Sequence, residues 1–212
     1  MSQFRPYRGV DGQQRIAERR RRLLEAGLDL LGGPAVSSDQ ATTSDLTVRA
    51  ICSQSGLAAR YFYESFTDKD AFVGAVFDWV VADIAATTQA AVAAVPMREQ
   101  SRAGMANIVR TISDDARVGR LLFSTHLANS AVVRKRTESG ALFALLSGQQ
   151  FGTSLQLEPN DRIKAAGHFV VGGVAQTLST WLSGDIAFTP AELATHLAAL
   201  IDQLADPALY QG

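Results

Sequence analysis

The chain has 212 residues, 47% of them hydrophobic, and a net charge of −1. That length suits one large domain or two small ones sharing an interface, and that apolar share excludes wholesale disorder. The single cysteine, Cys52, excludes an internal disulfide and fits a reducing compartment.

The charge is unevenly spread. The first 22 residues hold seven arginines against Asp11 and Glu18, a local +5. A basic end on a near-neutral chain suits contact with a polyanion, or is a solvated arm. The opening "MSQFRPYRGVDGQQR" has no apolar signal segment, and no uncharged apolar run reaches the roughly 18–20 residues that span a bilayer. The expectation is a cytoplasmic protein with no membrane partner.

In chain order, residues 13–31 read as a helix, with Ile16, Leu23, Leu24, Leu28, Leu30 and Leu31 at helical spacing. "GGP" at 32–34 stops it. Residues 35–45 read as a polar loop. Thr47 is placed to cap a short helix carrying Val48, Ile51 and Cys52 on one face, ended by Gly56. A second short helix is expected from about Ala58 to Phe66. "TDKD" at 67–70, with Thr67 or Asp68 as the cap, then starts a longer helix that stops before Pro96. Further helices are expected at roughly 98–114, 117–128, 131–151, 160–183 and 190–205. Thr189, Pro190 and Glu192 fall at N-cap, N1 and N3 of the last. No segment alternates as a strand, so the fold class is all-α.

The segment "GLAARYFYESFTDK" holds four aromatics, Tyr61, Phe62, Tyr63 and Phe66, between Arg60 and Lys69. Two short helices joined at a glycine describe a helix-turn-helix, whose second helix enters the major groove of DNA. Helical geometry puts Phe62 and Phe66, four residues apart, inward against Ile51, Leu57 and the first helix. Arg60, Tyr61, Tyr63 and Glu64 are left facing outward, with Thr47, Arg49, Ala59 and Lys69 completing the expected DNA-binding set. Guanidinium suits guanine edges, and tyrosine hydroxyls and ammonium suit phosphate oxygens. Four successive arginines, Arg19 to Arg22, point about 100° apart, so one or two reach phosphates. The others are solvated or paired with acids such as Glu18 and Glu25.

The stretch "LTVRAICSQSGLAARYFYESFTDKDAFVGAVF" resembles the DNA-binding segment of TetR/AcrR-type regulators. Thr47, Ile51, Gly56, Tyr63, Phe66 and Lys69 fall on that family's pattern without a gap. The tail "FVVGGVAQTLSTWLSGDIAFTPAELATHLAALIDQL" looks like its last two helices. The resemblance implies a homodimeric repressor with a three-helix, helix-turn-helix head (residues 1–67) on a palindromic double-stranded DNA operator. It implies a helical ligand-binding and dimerisation domain (residues 68–212) that takes a small-molecule effector. Three residues depart from the pattern. Ala58 stands where a capping Ser is usual. Cys52 replaces an Ala. Arg60 replaces a small residue, and is either a specificity determinant or a phosphate clamp. Since Ala58 and Ala59 leave the groove-entering turn bare, direct readout falls on Arg60. The loop at 32–45 is longer than usual, and Arg5 and Arg8 of the arm are within reach of a minor groove.

In the second domain, Ala165, Ala166, Gly167, Gly172, Gly173 and Ala175 point to a close helix–helix approach. With Leu193, Leu197, Leu200, Ile201 and Leu204, residues 160–183 and 190–205 are expected to pair two copies in a four-helix interface. Trp79, Met105, Phe123, His126, Phe143, Phe151, His168 and Trp181 are the candidate effector contacts. No catalytic motif is found, and neither histidine has a carboxylate or cysteine companion at metal-ligand spacing. No enzyme activity, metal or cofactor is expected. The rival readings are a DNA-binding protein of the same fold without an effector, and an all-helical carrier or enzyme.

Overall fold

The computed structural model describes residues 9–33 and 46–210. The N-terminal arm and the loop at 34–45 lie outside the described residues. Among the described residues the only regular elements are helical. They are α1 (Gly9–Gly32), α2 (Val48–Ser55), α3 (Ala59–Ser65), α4 (Lys69–Ala93), α5 (Gln100–Asp114), α6 (Ala116–Phe123), α7 (Ser130–Leu155), α8 (Asp161–Leu182) and α9 (Pro190–Gln203). Single turns of 3₁₀ helix lie at Met97–Glu99 and Pro207–Tyr210.

The caps explain most boundaries. Thr47 Oγ1 accepts from Ala50 N–H at 3.1 Å, and Asp68 Oδ1 accepts from Ala71 N–H at 2.7 Å. Thr189 and Glu192 form a complete capping box at α9, with Pro190 in its first turn. Gly56 ends α2 with φ +65°, a left-handed conformation that costs a side-chain-bearing residue energy. The expected helix at 117–128 stops early, at Phe123. Arg136, half-buried on α7, donates to the carbonyls of Arg120, Leu121 and Ser124 at 2.6–3.1 Å and so closes the α6 C-terminus. Burial pushes the Arg136 guanidinium below its ordinary pKa.

Two apolar clusters hold the helices. The first joins α1, α2 and α3 to the front half of α4 and to α6 and α7. It is built on Leu23, Ile51, Phe62, Phe72, Val76 and Leu121, each essentially fully buried. The second joins α5, α8 and α9 through Val109, Ile112, Leu178 and Leu193. A buried amide ties α4 to α5. Asn107 Nδ2 donates to both Thr87 and Thr88 Oγ1 at 3.0 Å, and its Oδ1 accepts from Arg110. Helix α4 is long and apolar enough to cross a membrane, which a search for uncharged runs does not register. It carries Asp78, which pairs with Lys135 of α7 at 2.8 Å, and its buried side chains line the first cluster.

Close helix crossings rest on glycine. A Cβ on Gly32 would lie 2.3 Å from the Arg117 carbonyl oxygen, so α1 ends directly against α6. A Cβ on Gly167 would lie 2.2 Å from the Ala144 carbonyl oxygen, so α7 and α8 touch backbone to backbone. The expected close approach of small residues in 160–183 is therefore met at Gly167, within one chain. Gly172 and Gly173 have nothing within 4 Å of a Cβ position.

Arg117 bridges α6 to α1. Its Nη1 bonds Glu25 Oε1 at 3.0 Å and Asp29 Oδ1, and its Nη2 bonds Asp115 Oδ2 at 2.6 Å. Asp29 also accepts from Gln54 Nε2 of α2 at 2.7 Å, which extends the bridge to the helix-turn-helix. Hydrogen bonding to Arg117 holds the Asp115 carboxyl below the usual carboxylate range, against a smaller opposing effect of burial. A depressed carboxyl pKa stabilises the fold above the unfolded value, about 3.9, and that contribution is lost as pH falls through the folded value. With the group about a third exposed, Arg117→Ala is expected to cost about 1–2 kcal/mol at pH 7. Thermal melts followed by circular dichroism at pH 7 and pH 3 check this, since the gap to the parent should narrow at the lower pH.

Candidate nucleic-acid interface

Helices α2 and α3 are joined by a three-residue turn, Gly56 to Ala58. The Leu57 N–H donates to Cys52 O at 3.1 Å, closing α2. Ala58 caps α3 with no side-chain bond, as its lack of a hydroxyl dictates. Phe62 is fully buried and Phe66 nearly so, and they form a triangle with Phe72 at centroid distances of 5.0–5.6 Å. This fixes α3 against α4 and turns its other face out. On that face Ala59, Arg60, Tyr63 and Glu64 are exposed, Tyr63 at 63%. Thr47, Arg49 and Lys69 are exposed at the starts of α2 and α4. Tyr61 is half-buried, with the guanidinium carbons of Arg19 and Arg60 each 4.6 Å from its ring centroid. Cys52 packs against the first cluster, and burial pushes its thiol pKa up.

The arginine run does more than pair with acids. Arg21 bonds Glu18 as expected, but Glu25 goes to Arg117. Arg20 Nη1 donates to Ser65 O at 2.9 Å, its guanidinium 4.5 Å from the Phe66 centroid. Arg22 Nη2 donates to Ser55 O at 2.6 Å. These two arginines thus satisfy carbonyls at the C-termini of α3 and α2, where the helix dipole favours a cation. Helical spacing showed that the run fans out. It did not show which carbonyls the side chains meet, because those come from 33 and 45 residues away.

No protein-family model and no curated protein matches this chain. Its fold does match solved structures. A protein from Syntrophomonas wolfei described as a TetR-family transcriptional regulator aligns with a TM-score of 0.69 at 14% identity, over 89% of this chain and 95% of its own. A TetR-family transcriptional regulator from Streptomyces coelicolor aligns at 0.63 and 19% identity, over 92% and 86%. The transcriptional regulator FadR from Bacillus subtilis, solved with stearoyl-CoA, aligns at 0.60 and 14% identity, over 85% and 96%. The fold is that of the TetR-family transcriptional regulators.

In that TetR-type frame the eight candidate effector residues separate. Met105, Phe123 and Trp181 gather on the second cluster, where Trp181 Nε1 donates to Phe188 O at 2.8 Å. Trp79 packs on the first. Phe151 is half-buried on α7, while Phe143, His126 and His168 are exposed. A shallow groove, open to solvent, runs along α9, lined by Phe188, Ala191, Glu192, Thr195, His196 and Ala199. Exposed apolar side chains include Phe169 of α8, Leu200 of α9, and Leu142, Leu145 and Leu146 of α7. Among the described residues no group of three His, Cys, Asp or Glu is placed to hold a metal ion.

Proposed function

We propose that this chain is a transcriptional regulator, not an enzyme, that binds double-stranded DNA through α2 and α3. The observation that carries this is the division of the aromatic segment. Phe62 and Phe66 are buried, while Arg60, Tyr63 and Glu64 stand on the outer face of the second helix of a glycine-turned pair. Such a face is turned away from the core, and its chemistry suits base edges and phosphates.

The fuller reading is a cytoplasmic homodimeric repressor released from a palindromic operator by a small, largely apolar effector. Residues 1–67 form its DNA-binding part, and residues 68–212 its effector and dimer part. Exposed Phe169 and Leu200, with the groove along α9, support pairing of two copies through α8 and α9. The stearoyl-CoA held by the similar FadR structure supports an apolar effector. A second reading, the same DNA-binding protein under control of a protein partner, is favoured by the scatter of the candidate effector residues over two clusters and the surface.

Retention of sheared genomic DNA on the purified protein tests the first reading. A few fragments sharing a palindrome should be enriched, and retention without sequence preference would sink it. On the enriched fragment, Lys69→Ala should weaken binding to all sequences alike and lower the salt slope by about one.

A further inference from the structure

Tyr61 is the half-buried member of an otherwise exposed face, and two cations from different helices meet on its ring. Arg19 comes from α1 and Arg60 from α3, each with its guanidinium carbon 4.6 Å from the centroid. Arg60 Nη2 also donates to the Tyr61 hydroxyl at 2.5 Å. Each cation–ring contact is favourable, while the two positive charges repel one another. Glu64, one turn beyond Arg60, is a carboxylate within electrostatic reach. It leaves two guanidiniums sharing one negative charge, so the cluster stays net positive.

We propose that Arg19, Tyr61 and Arg60 form one site for a single backbone phosphate of DNA, built jointly by α1 and α3. The inference rests on the DNA-binding reading above. Two features select a phosphate over a base edge. The major groove, about 12 Å wide, admits one helix, so a base edge is read from the recognition helix alone. Arg19 stands on a different helix, and a site shared between the two lies at the rim of the groove, where the backbone runs. Arg60, moreover, has one of its donors held by the tyrosine hydroxyl, which fixes the guanidinium against the ring. Both guanidiniums lie beside one ring, and each has N–H groups left over to donate to the free oxygens of a phosphodiester. Arg60 is then a clamp and not the reader of a base. Base recognition moves to the rest of the exposed face of α3, where Ala59, Tyr63 and Glu64 stand.

The test uses the full chain, a short duplex carrying the most enriched genomic fragment, and a shuffled duplex of equal length. Affinities are measured from about 50 to 200 mM salt for Arg19→Ala, Arg60→Ala, Tyr61→Phe and Tyr61→Ala. Circular dichroism confirms that each variant is folded. Arg19→Ala and Arg60→Ala should each weaken both duplexes by the same factor, about fivefold, and each lower the salt slope by about one. Tyr61→Phe keeps the ring and should lose less than Tyr61→Ala. If Arg60→Ala weakens only the enriched fragment, relaxes one base position and leaves the slope unchanged, Arg60 reads a base and the proposal falls. An Arg19→Ala variant with parental affinity and slope overturns it too, since the site then does not include α1. In both cases the parent still selects its fragment. A parent that selects no fragment instead removes the DNA-binding reading itself.

Discussion

Phe62→Ala is expected to lower the unfolding free energy by about 3–5 kcal/mol. The ring is fully buried and lies 5.6 Å from Phe66, 5.4 Å from Phe72 and 5.4 Å from Tyr63, centroid to centroid. Its removal takes away apolar burial and three aromatic contacts at once. The cavity also falls where α3 meets α4, and α3 has only seven residues and no side-chain cap of its own. A helix that short has no independent stability in water. The truncated protein should therefore bind DNA worse than its melting temperature alone predicts. Phe62→Leu, which refills most of the space, should recover much of both. Urea unfolding followed by circular dichroism, paired with an affinity measurement, checks the two effects separately. A loss under about 1 kcal/mol would mean that Phe62 does not anchor the head.

Gly167→Ala is expected to cost about 2–3 kcal/mol. In an ordinary helix interior the same change gains about 1 kcal/mol, so the sign itself is the prediction. The new Cβ would sit 2.2 Å from the Ala144 carbonyl oxygen and 2.9 Å from the Gly148 nitrogen. Both are backbone atoms of α7 and cannot swing aside as a side chain can, so the two helices must part along their length. Gly173→Ala is the control. Its Cβ position is open, and a single chain should gain the usual helix propensity there. If two copies pair through this face of α8, that gain disappears when the protein is assembled. Melting temperatures measured over a range of protein concentrations therefore report on the crossing and on the pairing together.

Much of the fold was legible because it is locally encoded. Thr47, Asp68 and the box of Thr189 and Glu192 each act within three residues, and the structure honours all of them. The inward turn of Phe62 and Phe66 follows from a four-residue spacing. What stayed illegible depends on partners far away in the chain. The helix expected to reach 128 ends at Phe123 because Arg136 of α7 takes its last carbonyls. Glu25, read as a partner for the arginine run, acts on Arg21 only through space and bonds Arg117, 92 residues on. Arg60 illustrates the same limit at the candidate site. Its exposure follows from helical geometry, whereas the ring it shares with Arg19 requires α1 and α3 to be side by side. The candidate effector residues divide over two clusters and the surface, since size and polarisability alone do not say which cluster a side chain joins.

The arginines at the helix ends bear on how the molecule opens. Arg22 holds the end of α2, Arg20 that of α3, Arg120 that of α1 at the Gly32 carbonyl, and Arg136 that of α6. A free helix frays from its tips, one hydrogen bond at a time, at almost no cost. Here each of these tips is tied to a neighbouring helix, so the last turn unwinds only if an interhelical bond breaks with it. Fraying in the helix-turn-helix head thus ceases to be a local event, and its short helices acquire the cooperativity of the larger body on which they are mounted.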